Sequence, residues 1–173
     1  KGHVTIELGR AIAAECGYYL TQIRDIKKNG DIQYCIVDGG NHHINYDGQI
    51  RGMYEPHLQI LPGEPQGREK MWTVCGALCT ANDVLCRDVK LTGVQSGKVL
   101  VFERTGAYSA MEGMSLFLSH PLPSVVTYQK DGGWRLLRKQ KDTYLLNMPE
   151  DGGKSCLTEE ITEIAGGLSG WKL

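Results

Sequence analysis

The sequence predicts a mainly β fold, an antiparallel barrel or sandwich with one or two short helices, and three observations lead to this expectation. Short runs rich in β-branched and aromatic residues recur at a spacing of roughly 8–12 residues, which is typical of such folds. Turn-forming residues separate these runs, and the 22 glycines lie mostly at the turns. Only two segments have the pattern of a helix.

Length and composition are those of a single globular domain. The chain has 173 residues, 41% of them hydrophobic and 23% charged, which supplies a core and excludes a wholly disordered chain. The 19 basic and 20 acidic side chains leave a net charge of −1, so no strong field favours nucleic acid or an acidic membrane surface. No apolar run approaches the roughly 18 residues of a membrane span. We expect neither kind of partner.

The first half of the chain contains the strongest hairpin pattern. Its predicted strands are residues 5–10, 18–28, 32–37, 57–61 and 69–77. Asn29-Gly30 separates the second and third of these runs, and this pair tolerates the positive φ angles of a two-residue hairpin turn. A polar loop follows Asp38-Gly39-Gly40.

The second half continues the pattern. Its predicted strands are residues 83–88, 98–103, 125–129 and 134–138. The turn at residues 130–133 joins the last two runs into a second hairpin. The helical segments are residues 109–118 and 157–165, and Ser155 or Thr158 could cap the start of the second one.

Three cysteines fall within twelve residues, at Cys75, Cys79 and Cys86. Their spacing differs from the paired pattern of zinc sites, and no fourth soft ligand lies nearby, so we expect no metal. Cys75 and Cys86 fit small buried side chains in a strand. Cys79 lies where an apolar run gives way to a polar one, and a thiol at such an edge can exchange a proton. Without a secretory signal, the six cysteines indicate reduced thiols in a cytoplasmic protein.

Two further segments are candidates for anion or ligand binding. Tyr108 follows Gly106-Ala107 after a strand, so its hydroxyl could reach a phosphate oxygen, although a tyrosine packed over a turn has the same pattern. Glu7 and Arg10 flank Gly9 and could contact two ends of one ligand, although exposed pairs of this kind are common and often idle. The histidines His42, His43 and His57 are weak metal candidates, because adjacent residues of an extended segment point to opposite faces.

Taken in order, four motifs resemble the C-terminal half of the alanine-racemase-like (fold type III) pyridoxal phosphate decarboxylases. The motifs are Glu7-x-Gly9-Arg10, Asp38-Gly39-Gly40, Cys79 with Asp83-Val84-Leu85, and Gly106-Ala107-Tyr108. This family includes diaminopimelate, ornithine, arginine and carboxynorspermidine decarboxylases, and the resemblance runs from about residue 4 to about residue 138. It implies a Greek-key barrel or sandwich over residues 17–149. Residues 1–16 would then be the remnant of the last strand and helix of a missing TIM-like barrel, and residues 150–173 a tail or helix.

The resemblance also implies roles for individual residues. Glu7 matches the carboxylate that pairs with the pyridine nitrogen of pyridoxal phosphate, which makes the ring an electron sink. Gly9 and Arg10 belong to the same cofactor-binding motif, and Arg10 matches an arginine that binds the phosphate or the substrate carboxylate. Tyr108 matches the tyrosine that bonds the phosphate. Cys79 matches the cysteine that returns a proton to the α-carbon across a dimer.

The departures from the family pattern concern the substrate. Leu8 stands where the family usually has proline, which alters the loop more than the charges. Thr80 replaces the usual acidic residue that reads a distal amine, so we expect another substrate, such as a carrier-tethered or acidic amino acid. Tyr54 matches a tyrosine that binds a substrate carboxylate, and Asp83 counts with Tyr54 and Thr80 as substrate-binding.

We therefore expect the C-terminal domain of a cytoplasmic, homodimeric pyridoxal phosphate-dependent amino-acid decarboxylase. The Schiff-base lysine and the glycine-rich phosphate loop belong to the barrel, so this chain alone should be inactive. The alternative is a catalytically dead regulatory or binding module derived from the same domain. A carbohydrate-binding module is a third possibility, but the sequence lacks a stripe of exposed aromatic residues.

Overall fold

The computed structural model describes residues 2–46 and 56–149, which contain eight strands, one α-helix and three 3-10 helices. The strands are β1 (Tyr19–Asn29), β2 (Ile32–Val37), β3 (Leu58–Leu61), β4 (Lys70–Cys75), β5 (Val84–Leu91), β6 (Val99–Phe102), β7 (Val125–Tyr128) and β8 (Trp134–Arg138). The α-helix is α1 (Gly9–Ala13), and the 3-10 helices are Ala14–Cys16, Phe117–Ser119 and Tyr144–Asn147. The predicted mainly β fold is confirmed.

Six strands form one curled sheet in the order β3-β6-β1-β2-β4-β5, and β7 pairs with β8 in a second, two-stranded sheet. Neighbouring strands of the large sheet run antiparallel, except that β2 and β4 are parallel, with Tyr34 opposite Thr73 and Ile36 opposite Cys75. The chain leaves β2, forms β3 at the far edge beside β6, and returns to the free side of β2. This crossover brings β4 in along the direction of β2.

The core fills the inside of the curled sheet. Its buried side chains come from all six strands and from the segment after β2, and the most buried include Ile23, Cys35, Val37, Val74, Leu85, Leu100 and Phe102. Alternation along β1 places Tyr19, Thr21 and Ile23 inward, as expected for a strand with one buried face. Burial of these side chains provides the main stabilisation of the sheet.

Both hairpins predicted from the sequence are confirmed. Asn29 pairs with Ile32 across the turn between β1 and β2, and Gly30 in this turn has a φ of 58°. In the second hairpin Tyr128 pairs with Trp134, and Gly132 has a φ of 86°. Glycine adopts such positive φ angles without the steric cost that a Cβ brings.

Two predicted elements are wrong. Residues 5–10 form no strand, since the chain is irregular up to Leu8 and α1 begins at Gly9. Residues 109–118 form no α-helix but a series of turns that ends in the 3-10 helix Phe117–Ser119. Leu118 and Ser119 there have φ angles of 57° and 54°, which are incompatible with a continuing right-handed helix.

The chain divides into two compact units, residues 1–143 and 144–173. The second unit is described only over residues 144–149, which include the 3-10 helix Tyr144–Asn147. The helix predicted at residues 157–165, the tail expected over 150–173 and the candidate Tyr54 lie outside the described residues. Of the helices described, none is both long and apolar enough to cross a membrane.

Candidate functional site

The segment around α1 lies against the chain that follows β6. Thr105 donates its backbone N–H to Gly17 O at 2.9 Å, and Gly106 donates to Ala14 O at 3.0 Å. A Cβ on Gly106 would collide with Ala13 O and lie 2.7 Å from Cys16 Sγ. The contact therefore exists because residue 106 has no side chain. It joins the beginning of the described chain to a loop almost a hundred residues later.

This contact places Gly9 and Arg10 beside Tyr108. The Arg10 guanidinium donates to Ala107 O at 3.3 Å and lies 5.1 Å from the centre of the Tyr108 ring. The Tyr108 hydroxyl lies so close to Gly9 that a Cβ there would collide with it. Tyr108 has a φ of 61° and is 54% exposed. A guanidinium and a reachable phenol in one place fit an anionic group such as a phosphate.

The turn at Asp38 and Gly39 is anchored on β1. Asp38 Oδ1 accepts hydrogen bonds from Thr21 Oγ1 at 2.7 Å and from Gln22 N at 2.9 Å. The Thr21 hydroxyl in turn accepts one from Gly39 N at 2.9 Å. A Cβ on Gly39 would overlap the Tyr19 hydroxyl. The motif Asp38-Gly39-Gly40 therefore brings the chain tightly across the end of β1.

Cys79 is exposed on the loop between β4 and β5, residues 76–83, which we call the Cys79 loop. The neighbouring Thr80 is partly buried, and its hydroxyl accepts a hydrogen bond from Asn82 N at 3.3 Å. Asp83 closes the loop and is only 3% exposed. Its Oδ1 accepts from Asn41 N and its Oδ2 from Leu78 N, both at 2.7 Å. Both carboxylate oxygens of Asp83, which was expected to contact the substrate, thus accept hydrogen bonds from backbone N–H groups.

Asn41 connects the Cys79 loop to residues 105–114, which we call the Tyr108 loop. The Asn41 side-chain NH2 donates to Asn82 O at 2.8 Å, and the Asn41 backbone carbonyl accepts from Met114 N at 2.7 Å. Four residues later Asn45 N donates to Ser109 O at 2.7 Å. The two loops that carry the candidate thiol and the candidate phenol are therefore tied to the same short segment, residues 39–45.

The two histidines of that segment form a cluster with a third, in which the rings are tilted against one another. The ring centroids of His42 lie 3.9 Å from those of His43 and 4.8 Å from those of His120. His43 Nε2 lies 3.1 Å from Pro121 O, so it donates, and Nδ1 then accepts from the Tyr19 hydroxyl at 2.8 Å. Burial, followed by the neighbouring histidines, lowers the pKa of His42 to about 4.

This histidine cluster was missed by the sequence reasoning, which treated His42 and His43 as weak metal candidates. The adjacent histidines after Gly39-Gly40 were the only part of the cluster that the sequence indicated, because the contact with His120 joins residues far apart in the chain. Within residues 2–46 and 56–149, no group of three or more His, Cys, Asp or Glu side chains could hold a metal ion.

The other cysteines differ from Cys79 in their surroundings. Cys86 is buried, as predicted, and Cys35 is buried beside it. Burial raises the pKa of each of these thiols to about 12, and it also raises the pKa of the partly buried Cys75. These groups stay protonated at neutral pH, so they act as small apolar side chains.

The structure thus groups the candidates in two sets. Gly9, Arg10 and Tyr108 lie together, and Cys79 and Thr80 lie on the second loop. Glu7 is exposed next to the first set. The structure also has a groove between β3 and the end of β5, lined by Leu58, Ile60 and Leu91 among others, but none of the candidate residues lines it.

Comparison with known proteins identifies the family to which this fold belongs. Residues 11–106 match the family model of the pyridoxal-dependent decarboxylase, C-terminal sheet domain. The 2-[(L-alanin-3-ylcarbamoyl)methyl]-2-hydroxybutanedioate decarboxylase of Staphylococcus aureus is 33% identical over 129 residues, 71% of this chain and 32% of that protein. The L-glutamyl-[BtrI acyl-carrier protein] decarboxylase of Niallia circulans is 30% identical over 140 residues, 78% of this chain and 32% of that protein.

The likeness extends to solved structures. A crystal structure of diaminopimelate decarboxylase superposes with a TM-score of 0.70 at 28% sequence identity, over 80% of this chain and 34% of that one. The chain spans about a third of the length of these relatives. The family model covers more than half of the chain, and the chain therefore belongs to the pyridoxal-dependent decarboxylase family, of which it is a C-terminal sheet domain.

Proposed function

We propose that this chain is the C-terminal domain of a pyridoxal phosphate-dependent amino-acid decarboxylase, in which it supplies part of the cofactor site and the thiol that reprotonates the product. The observation that carries the proposal is the meeting of Gly9, Arg10 and Tyr108. Tyr108 follows the other two by about a hundred positions, and all three are residues that the family pattern assigns to the cofactor. An N-terminal barrel domain would supply the Schiff-base lysine, and a second subunit would complete the site.

Arg10 and Tyr108 would bind the phosphate of the cofactor. The guanidinium offers several N–H donors and a positive charge, and the phenol adds an O–H donor beside it. Gly9 keeps the approach to the hydroxyl open. Glu7, exposed two residues before Gly9, would accept the pyridine N–H and hold that proton in place. When bound, the protonated ring supplies the electron sink that decarboxylation requires.

Cys79 would return the proton. When CO2 leaves, the electron pair of the broken bond remains at the α-carbon, and it takes the proton from Cys79 Sγ. The thiolate then recovers a proton from solvent, which balances the step. Because Cys79 is exposed on its own chain, its thiol is available to a site shared with the partner subunit, whereas the buried Cys35 and Cys86 are not.

The substrate would lack a distal ammonium group. Thr80 carries no charge, so it cannot compensate an ammonium as a carboxylate does. We propose a carrier-tethered or acidic amino acid, with Tyr54 as a contact for the substrate carboxylate. The names of the two relatives support this choice, because one acts on an amino acid bound to an acyl-carrier protein and the other on a carboxylate-rich compound.

The test joins the chain to an N-terminal barrel domain and measures cofactor absorbance and CO2 release. We expect both to be present. Cys79→Ala should lower turnover by about 10²–10⁴-fold, the usual contribution of a positioned proton donor, with unchanged cofactor absorbance. Cys16→Ala is the matched control, since Cys16 is also exposed, and it should retain turnover.

Two results would contradict the proposal. Full turnover in Cys79→Ala would remove this thiol from the mechanism. An assembled protein that binds no cofactor, but inhibits an intact decarboxylase, would support a regulatory module derived from this domain instead.

A further inference from the structure

We propose that Asp83 is a positioning residue for Cys79, acting through the backbone and not by touching the substrate. The inference rests on the proposed function of Cys79. It states that one buried carboxylate fixes where the thiol lies relative to the Tyr108 loop. It also assigns to Asp83 a role different from the substrate contact expected from the family pattern.

The Asp83 carboxylate accepts a pair of hydrogen bonds from two backbone N–H groups. Leu78, whose N–H donates to Oδ2, directly precedes Cys79, so this bond fixes the backbone next to the thiol. Asn41, whose N–H donates to Oδ1, belongs to a different segment, 42 residues away in sequence. Hydrogen bonds from N–H groups to a carboxylate are stronger than neutral ones. Asp83 thus holds two separate chain segments together.

Neighbouring backbone leaves little room around the Asp83 carboxylate. A Cβ on Gly40 would lie 2.5 Å from Asp83 Oδ2, and a Cβ on Gly76 would collide with the same oxygen. Backbone therefore covers the carboxylate from two sides, and only glycine fits at either position. With Asp83 3% exposed, a substrate atom has no direct access to it.

Asp83 also closes the Cys79 loop with its backbone groups. Gly76 N donates to Asp83 O at 2.9 Å, and Asp83 N donates to Thr80 O at 3.2 Å. These bonds set the ends of the loop, whereas the carboxylate bonds Leu78 in its middle. Cys79 and Thr80 lie between these fixed points, so their backbone has little freedom.

Hydrogen bonds through Asn41 connect Asp83 to the Tyr108 loop, which carries the other half of the site. Asn41, which donates to Asp83, accepts a hydrogen bond from Met114 at the end of the Tyr108 loop. The contact between Asp83 and Asn41 is therefore where the Cys79 loop meets the segment that also holds the Tyr108 loop. A shift at this contact moves the thiol relative to the phenol without changing either side chain.

The prediction is a loss of turnover without a loss of substrate binding. Displacement of a catalytic group by about 1 Å can cost on the order of 10²-fold in rate. Arg10 and Tyr108 lie outside the Cys79 loop and stay in place, and Thr80, which moves with the thiol, has no charge with which to bind the substrate. In the enzyme assembled with its N-terminal domain, Asp83→Asn puts an amide NH2 against a backbone N–H. We expect kcat to fall about 10–100-fold, with KM and cofactor affinity within about twofold of the unchanged enzyme.

The solvent deuterium isotope effect separates positioning from mere loss of folded protein. A misplaced thiol makes the proton return slower, so the isotope effect on kcat should rise in Asp83→Asn. Asp131→Asn is the matched control, because the Asp131 carboxylate also accepts a backbone N–H, from Gly133 at 3.0 Å, in an exposed turn. It should leave kcat and the isotope effect unchanged.

Gly76→Ala tests the same contact from the opposite direction. Its methyl group displaces the Asp83 carboxylate, so it should reproduce the loss of kcat, and the double variant should be no worse than the more damaging single one. Gly76→Ala also provides the measurement if Asp83→Asn fails to fold. An unchanged kcat in folded Gly76→Ala would overturn the proposal, as would a raised KM in either variant. If Cys79→Ala is fully active, the proposed function fails first and independently.

Discussion

The Tyr108 loop and the Cys79 loop carry the two halves of the candidate site, and they are held in place by different means. The Tyr108 loop is fixed by main-chain hydrogen bonds and by the close approach of Gly106 to Gly17, while Tyr108 itself is half-exposed. The Cys79 loop is fixed by a buried side chain, Asp83, that receives two backbone donors. The Tyr108 loop is therefore sensitive to a methyl group added at Gly106, whereas the Cys79 loop is sensitive to any loss or displacement of the Asp83 carboxylate.

This difference also sets what each half can tolerate. A side-chain change at the surface of the Tyr108 loop leaves the backbone contacts in place, so it alters binding more than folding. Any change at Asp83 alters the path of the loop itself, because the carboxylate is part of the scaffold. Variants that add a methyl group or remove a charge, together with a change of pH that protonates a neighbouring side chain, can therefore distinguish the contributions of the two halves.

The largest effect is expected for Gly106→Ala. The new methyl group would collide with Ala13 O and lie 2.7 Å from Cys16 Sγ, and the backbone at residue 13 cannot move away as a flexible side chain can. We expect a loss of about 3 kcal/mol in the free energy of unfolding, at the upper end of the usual cost of overpacking. Urea denaturation of the variant measures this loss.

Gly2→Ala is the matched control for Gly106→Ala, since a Cβ there meets no atom within 4 Å. It should leave the free energy of unfolding unchanged. A stable Gly106→Ala protein with unchanged cofactor affinity would show that the contact between the two segments is not what holds the Tyr108 loop.

The second effect concerns His42, which lies in the segment between the two loops. Its pKa of about 4 in the folded protein, lowered first by burial and then by His43 and His120, is below the ordinary value of about 6.5. Between these values the unfolded chain binds a proton that the folded one does not. The free energy of unfolding is therefore highest, as far as His42 is concerned, above about pH 6.5. It falls as the pH drops towards 4, and the loss is about 2 kcal/mol at pH 5.

Denaturation midpoints measured between pH 4 and 7 check this expectation. His42→Phe keeps an aromatic ring in the histidine cluster and removes the titration of residue 42, so the stability of this variant should depend less on pH in this interval. His3→Gln is the control, because His3 is exposed, and it should retain the full dependence. A His42→Phe curve parallel to that of the unchanged protein would assign the acid sensitivity to another group.

The local parts of the fold could be predicted from the sequence because short-range chemistry determines them. Asn29-Gly30 gave the first hairpin and the turn at Gly132 the second, since only residues that accept positive φ fit such turns. The strand positions followed from runs of β-branched residues. The meeting of Gly9 with Tyr108 followed only from the family resemblance, since no local pattern links residues so far apart.

The long-range parts could not be predicted. The parallel pairing of β2 with β4 depends on where the intervening chain crosses, which the residues of neither strand indicate. The expected helix at residues 109–118 failed because hydrogen bonds from Met114 and to Ser109 tie this stretch to Asn41 and Asn45, which outweighs its local helical preference. The burial of Asp83 and its two hydrogen bonds to distant backbone groups were not visible in the sequence either, because they depend on how the loops pack.

The smallest effect on stability, but a clear one on binding, is expected for Gly9→Ala. The added methyl group meets the hydroxyl of Tyr108, the far end of a half-exposed side chain that can swing away, and alanine also favours the helix at this position. The free energy of unfolding should change by less than about 0.5 kcal/mol. Cofactor affinity, measured by absorbance titration, should fall about tenfold, because one hydrogen bond to a charged group is worth about 1.5 kcal/mol.

Tyr108→Phe tells whether the hydroxyl is the cause. If Gly9→Ala acts by displacing this group, the double variant should bind the cofactor no more weakly than Tyr108→Phe alone, since the hydroxyl can be lost only once. Additive losses would mean that the methyl group obstructs the cofactor directly or disturbs Arg10. The Tyr108 loop would then resemble the Cys79 loop, with its backbone and not its exposed side chain setting the geometry of the site.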